Sequence, residues 1–303
     1  MDTTPLMPEE VPKGHQSGYI ALIGKPNVGK STLMNALVGR KLSIVTRKPQ
    51  TTRHRVLGIL SSDAYQIIFL DTPGIIKPRY RLHESMMHSV QDAIRDADLL
   101  VFMADATTST PDEFSLDFIK DHPAILAINK MDRIRKEDAL PLVESYMEIR
   151  DFDAVVPISA TEETNLDVLL EEIVDRLPAG PPFYPKEMIS EHPERFFVAE
   201  IVREKIFEQY RQEIPYSVQV NVVQFEERDG ERDFVSAEIV VARDAQKGIL
   251  IGKGGSALKQ LGIAARKDIE AFLERSIYLD LHVKVREDWR DRPAYLKSYG
   301  YRS

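Results

Sequence analysis

Gly24-Lys25-Pro26-Asn27-Val28-Gly29-Lys30-Ser31 stands between a short apolar run, Tyr19 to Ile23, and an apolar-periodic stretch, Thr32-Leu33-Met34-Asn35-Ala36-Leu37-Val38. The run reads as a strand and the periodic stretch as a helix, so the glycine-rich segment is a strand-to-helix loop. That context makes it a phosphate-binding loop. Glycines let the backbone wrap close to phosphate oxygens, N–H groups at a helix start supply positive potential, and Lys30 adds a full charge. Ser31 offers a hydroxyl to a magnesium ion, and Thr32 follows it into the helix.

The loop alone specifies a nucleotide and leaves the base open. Asn129-Lys130-Met131-Asp132 directly follows a second apolar run, Ala124 to Ile128, at the strand end where α/β sheets bind ligands. A carboxylate only accepts hydrogen bonds, so Asp132 suits the guanine edge, which carries N1–H and a 2-amino group, and mismatches adenine. Ser159-Ala160 follows the strand-like Val155 to Ile158 and is expected to set a small residue and a backbone N–H against the guanine O6.

Asp71-Thr72-Pro73-Gly74 ends the run Gln66 to Leu70. There Asp71 is placed to hold magnesium through water, and the Gly74 N–H to meet a γ-phosphate. Between these motifs lies the polar loop Lys48-Pro49-Gln50-Thr51-Thr52-Arg53, where one threonine hydroxyl is expected on the metal while the γ-phosphate is present. Thr52 is the better candidate than Thr51. Four motifs in this order, each at a strand end, resemble the translation-factor-like GTPases over Tyr19 to Leu177.

In related GTPases a glutamine after the Asp-x-x-Gly motif orients the attacking water, whereas this chain has Ile75. An aliphatic side chain cannot do this, so unaided hydrolysis is expected to be slow. Lys30, Thr52 and Gly74 remain as catalytic candidates. Asn27 joins them by resemblance, since an asparagine here in related GTPases ligates a monovalent cation such as K⁺; the other reading makes it a turn residue.

The chain has 303 residues, 43% of them hydrophobic, which suits two domains. Residues 1–17 are polar and proline-containing, without the apolar core of a signal or transit peptide, and read as a disordered extension. The absence of cysteine excludes disulfides, thiolate catalysis and cysteine-ligated zinc, and agrees with a cytoplasmic setting. The seven histidines are scattered without metal-ligand spacing and read as surface or switch-loop residues, leaving magnesium as the implied metal.

Residues 18–178 form the first expected domain. The segment Pro178-Ala179-Gly180-Pro181-Pro182-Phe183-Tyr184-Pro185 cannot continue a helix, so residues 179–193 read as an extended connection. Over residues 194–303 the patterning reads as an amphipathic helix (Arg195 to Tyr210), a hairpin, two helices around Gly252-Lys253-Gly254-Gly255, and a strand (Leu279 to Val285). That order resembles a type II KH domain, whose GXXG loop clamps single-stranded nucleic acid.

Net charge is −8, yet Arg243 to Lys267 holds six basic residues against one acidic. Binding is therefore expected at one focused patch, with Lys247, Ile251, Gly252, Lys253, Gly254, Gly255 and Lys259 as candidate RNA contacts and little affinity for duplex DNA. The tail, with Trp289, Tyr295, Tyr299 and Tyr301, is expected to dock on the domain; the other reading stacks it on bases.

The whole arrangement resembles the Era family of GTPases. It implies a P-loop GTPase domain, a mostly parallel sheet with helices on both faces, followed by a smaller α+β type II KH domain. It also implies GTP and GDP as ligands, Mg²⁺ as cofactor, and the 3′ end of 16S ribosomal RNA in the 30S subunit as partner. The role implied is small-subunit assembly, in which GTP makes the RNA grip competent and hydrolysis releases it. The resemblance further implies peripheral association with the inner membrane, for which the sequence has no long basic amphipathic helix. The competing reading is a GTPase switch for membrane or protein assembly whose second domain binds protein.

Overall fold

The computed structural model describes residues 14–302 apart from Asp121. The chain divides into two compact units. The first holds the chain up to Ser43, then Thr52–Ile76 and Met87–Glu191; the second holds Ile44–Thr51, Lys77–Met86 and the chain from His192 onward.

In chain order the first part forms β1 (Gln16–Ile23), α1 (Lys30–Val38), β2 (Val56–Ser61), β3 (Tyr65–Asp71), α2 (Arg81–Asp96), β4 (Leu99–Asp105) and α3 (Glu113–Leu116). It continues with β5 (Ala124–Asn129), α4 (Lys136–Ile149), β6 (Ala154–Pro157) and α5 (Leu166–Val174). The sheet order is β2-β3-β1-β4-β5-β6, with only β2 antiparallel to its neighbour. The inner strands are continuous runs of Ile, Leu, Val, Ala and Phe because they are covered on both faces.

Topology positions the site. β1 pairs with β3 on one side and with β4 on the other, and the strand order changes direction there, which opens a crevice beyond the carboxyl end of β1. The register pairs Leu22 with Asp71, Ile23 with Phe102, Asp105 with Asn129, and Ile128 with Pro157. The loops after β1, β3, β4, β5 and β6 therefore leave the same edge of the sheet.

The second unit contains α6 (Glu194–Gln209), α7 (Ile214–Ser217), β7 (Gln219–Glu226), β8 (Asp233–Val241), α8 (Asp244–Ile251), α9 (Ser256–Leu273), β9 (Ile277–Val285) and α10 (Pro293–Ser298). β7 and β8 are antiparallel, and β9 adds parallel to β8. One core joins Val198, Val202 and Ile206 of α6 to Val235, Ala237 and Ile239 of β8 and to Leu261, Ala265 and Ile269 of α9.

Several sequence readings change. Gln16 and Ser17 belong to β1, and the buried His15 bonds through Nδ1 to the Gly180 carbonyl at 2.9 Å, so the expected extension of residues 1–17 does not reach this far and His15 is no surface residue. Residues 1–13 lie outside the described residues. His83 is likewise buried. The connection after Pro178 covers the open edge of β2: the Ile59 N–H donates to the Ile189 carbonyl at 2.8 Å, and Ser190 Oγ donates to the Leu57 carbonyl. Gln66 fastens it further, accepting from the Phe183 and Tyr184 N–H groups at 2.7 and 2.9 Å, while Phe183 stacks on Tyr19.

The units are also not the contiguous stretches of the sequence reading. Ile44–Thr51 joins the second because the Val45 N–H donates to Glu204 Oε1 at 3.0 Å and Lys48 Nζ donates to the Phe207 and Tyr210 carbonyls at the end of α6. Lys77–Met86 joins it because the Leu82 N–H donates to the Arg290 carbonyl at 3.0 Å and Arg290 lies over the Tyr80 ring. Helix α6 is accordingly more than amphipathic, for it buries Arg203 and Glu204 along with its apolar face.

The tail docks as expected. Trp289 is fully buried with its indole N–H on the Ser217 carbonyl at 3.0 Å, and Tyr301 Oη donates to Gln219 Oε1 at 2.8 Å. Among the described residues no helix is long and apolar enough to cross a membrane.

Candidate nucleotide site and candidate nucleic-acid interface

The loop after β1 uses its glycines for two separate reasons. Gly24 (φ +147°) and Gly29 (φ +105°) hold backbone angles that side chains resist, and a Cβ on Gly29 would lie 2.2 Å from Asn129 Nδ2. At Gly24 the obstacle would be the Met103 carbonyl, 2.5 Å away. Lys30 at the start of α1 is buried, donating to the Gly24 and Lys25 carbonyls at 3.0 and 2.9 Å. Burial lowers its pKa to about 8, with the carboxylates of Asp71 and Asp112 working against the shift.

Three oxygens from three segments converge beside Lys30. Ser31 Oγ donates to Asp71 Oδ2 at 2.6 Å and lies 3.0 Å from Thr52 Oγ1, which is itself 3.5 Å from Asp71 Oδ2. Thr51 points elsewhere, its hydroxyl 2.8 Å from Thr46 Oγ1 and 2.8 Å from the Lys48 carbonyl. Asp71 is fully buried, its Oδ1 has no hydrogen-bond partner, and burial raises its pKa against the Ser31 bond and the Lys30 charge. A buried carboxylate oxygen in this condition fits a hard cation that takes oxygen ligands. The donor set of two hydroxyls and a carboxylate suits magnesium.

The strand end after β3 touches the same loop. A Cβ on Gly74 would meet Pro26 N at 2.4 Å, so its backbone lies directly against the phosphate loop. Thr72 Oγ1 donates to the Leu22 carbonyl at 2.7 Å, Pro73 is buried, and the Ile75 N–H donates to the Gly24 carbonyl at 3.1 Å. The Ile75 side chain is itself only 3% exposed, and an aliphatic group offers no donor or acceptor to a water.

Beyond β5, Asn129 Nδ2 donates to the Val28 carbonyl at 2.8 Å and its Oδ1 accepts the Ala160 N–H at 2.9 Å. One side chain thus ties three loops together. Asp132 Oδ1 accepts from Ser159 Oγ at 2.6 Å, so the serine aims the carboxylate, and the Ala160 N–H serves Asn129 rather than standing free toward a base. Lys130, in a left-handed turn (φ 70°), pairs with Asp105.

Asp105 and Asp112 were not singled out from the sequence. Neither belongs to a motif, and the only signal in the chain is that Asp105 ends the apolar run Leu99 to Ala104; its register with Asn129 comes from the sheet. Asn27 is exposed with φ 63°, a geometry that fits both readings given above.

In the second unit, Gly252-Lys253-Gly254-Gly255 joins α8 to α9, and its three glycines have φ of +71°, +59° and +79°. A Cβ on Gly252 would lie 2.7 Å from the Ala257 Cβ, whereas Gly254 and Gly255 face open space. Lys253 and Lys259 are exposed, Lys247 and Ile251 are half-buried, and Ile249 and Ile263 are more than half exposed. Beside them β9 packs on α9, and its inward residues Leu279, Leu281, Val283 and Val285 stay only partly covered. A cationic glycine loop next to half-exposed apolar side chains can take a phosphate backbone on one side and unstacked bases on the other.

Comparison with known proteins decides the family. Residues 19–130 match the model of the 50S ribosome-binding GTPases, and residues 213–290 match the KH domain model. The chain is 45% identical over 291 residues to GTPase Era of Lacticaseibacillus paracasei, covering 95% of this chain and 97% of that protein. The chain belongs to the Era family of GTPases. It is also 51% identical over 294 residues to the chloroplastic GTPase ERA1 of Zea mays, covering 95% of this chain and 71% of that one. Its fold superimposes with a TM-score of 0.91 on a point variant of Aquifex aeolicus Era bound to GDP and AlF₄⁻, at 40% identity over 95% of this chain and all of that one. A second crystal structure, of Era with MgGDPNP and nucleotides 1506–1542 of 16S ribosomal RNA, matches at 42% identity with a TM-score of 0.91 over the same shares. As an Era-family member this chain binds guanine nucleotides and hydrolyses GTP.

Proposed function

We propose that this GTPase grips the single-stranded 3′ end of 16S ribosomal RNA with its KH domain and acts in assembly of the small ribosomal subunit. The observation that carries the reading is the loop Gly252 to Gly255, where two glycines face open space beside Lys253 and the half-covered β9 stripe. The RNA-bound relative supports the choice of ligand. The contacts assigned are Lys247, Ile251, Gly252, Lys253, Gly254, Gly255 and Lys259.

At the nucleotide, Gly24 to Thr32 cradle the phosphates, Lys30 reaches the β- and γ-phosphates, and Asn129, Lys130, Asp132, Ser159 and Ala160 hold the guanine. Ser31, Thr52 and Asp71 would hold magnesium, which when bound would supply charge neutralisation at the transferring phosphoryl group. Gly74 presents its N–H to the γ-phosphate, and Thr52 completes the ligand set only with GTP. Asn27 would hold potassium, which when bound would supply charge stabilisation that Ile75 cannot; as a turn residue it would supply none. The protein is assigned to the cytoplasm, with peripheral contact to the inner membrane as a secondary location.

Crosslinking to cellular RNA with GTP or GDP bound tests the reading. Enrichment of the 16S 3′ end in the GTP state, lost when Lys253 and Gly254 are both replaced by Asp, supports it. Capture of protein without RNA would overturn it.

A further inference from the structure

Asp112 lies between β4 and α3, outside every nucleotide motif, yet it is a nearly buried carboxylate against the phosphate loop. Its position is fixed from two directions. Its backbone N–H donates to Tyr146 Oη at 3.1 Å, and its Oδ1 caps α3 by accepting the Ser115 N–H at 3.3 Å. The same Oδ1 is 3.2 Å from Lys25 Nζ, and Oδ2 is buried without a partner. Lys25 is thereby held at both ends, its ammonium by Asp112 and its carbonyl by Lys30 Nζ at 2.9 Å.

We propose that Asp112 is a positioning residue for nucleotide binding, fixing the shape of the phosphate loop through its ion pair with Lys25. The physical reason lies in what Lys30 must do. Lys30 Nζ is spent on the Gly24 and Lys25 carbonyls, and reaching phosphate oxygens requires it to leave them. The Asp112 anchor holds Lys25 by its ammonium and not by that carbonyl, so it keeps the Lys25-Pro26 backbone in place when Lys30 leaves. The pair is asymmetric: the Lys25 side chain is 53% exposed and the Asp112 side chain 8%. Removing the lysine therefore strands a carboxylate in the interior, a heavier loss than an exposed pair would suffer.

A double-mutant cycle on GDP release, with the full-length protein and fluorescent GDP, tests this. Lys25→Ala and Asp112→Asn should each speed GDP dissociation by roughly fivefold, and the double variant no more than either single one. Lys25→Arg should restore a rate near the parent's, because the guanidinium still reaches the carboxylate. The change should fall in KM for GTP more than in kcat, a split that general loosening of the fold would not produce. Lys25→Ala alters an exposed side chain, so it remains informative should Asp112→Asn fold poorly. Two results would overturn the proposal: single effects that multiply in the double variant, or slower GDP release from Asp112→Asn, which would mean that Lys25 binds phosphate directly and the carboxylate competes with it.

Discussion

Ser31 Oγ and Asp71 Oδ2 meet at 2.6 Å, one from the first turn of α1 and the other from the last residue of β3. The parallel pairing of β1 with β3, which sets Asp71 opposite Leu22, delivers the carboxylate to the start of the helix that follows β1. Two motifs 40 residues apart in the chain become one metal-ready pair.

This contact predicts the consequence of breaking it. Ser31→Ala should weaken magnesium-dependent GTP affinity by roughly 10- to 100-fold, the range seen when metal-site groups are removed. GTP affinity titrated against magnesium would show it, with the largest loss at low metal. Thr51→Ala should do much less than Thr52→Ala, since Thr51 turns toward Thr46 and Lys48.

In the proposed site base choice is assigned to Asp132, whose carboxylate Ser159 Oγ holds at 2.6 Å. Asp132→Asn should weaken guanine nucleotides by roughly 100-fold or more and favour xanthine, whose 2-oxo group needs a donor. Ser159→Ala should weaken GDP by about 1 kcal/mol, the worth of one hydrogen bond, without altering preference. Competition among GTP, XTP and ATP measures both.

Gly29→Ala should abolish useful nucleotide affinity. The left-handed backbone costs a side chain about 1–2 kcal/mol. The new methyl would in addition drive Asn129 from its place, since the Cβ would lie 2.2 Å from Nδ2. Calorimetry with GDP should show no binding at concentrations that saturate the parent, while the apolar strands keep the domain folded.

Hydrolysis should be slow in sodium and faster in potassium, and the difference should vanish in Asn27→Ala. Single-turnover rates in the two salts decide the role of Asn27. A rate indifferent to the cation makes it a turn residue, in keeping with its φ of 63°.

RNA affinity should depend on the Gly252 loop. The double substitution of Lys253 and Gly254 by Asp should eliminate binding to single-stranded ribosomal RNA and spare GTP binding. Lys253→Ala should lower the salt slope of binding by roughly one, the signature of one lost phosphate contact.

Local order and the ligand classes were legible in the chain itself. The phosphate loop, Asp71 to Gly74, and Asn129 to Asp132 each join a recognisable strand to a loop, because apolar runs of this length must be buried strands and glycines mark close approach. The helices around Gly252 to Gly255 were legible for the same reason. Partnership was not. That Ser159 aims Asp132, that Asn129 ties Val28 to Ala160, and that Asp105 meets Lys130 are consequences of strand register, which brings together residues far apart in the chain. The grouping of Ile44–Thr51 and Lys77–Met86 with the second unit was equally invisible, since these short polar loops carry no periodicity of their own. Patterning is a property of neighbours along the chain, whereas a buried carboxylate such as Asp112 acquires its role only from the elements that close around it.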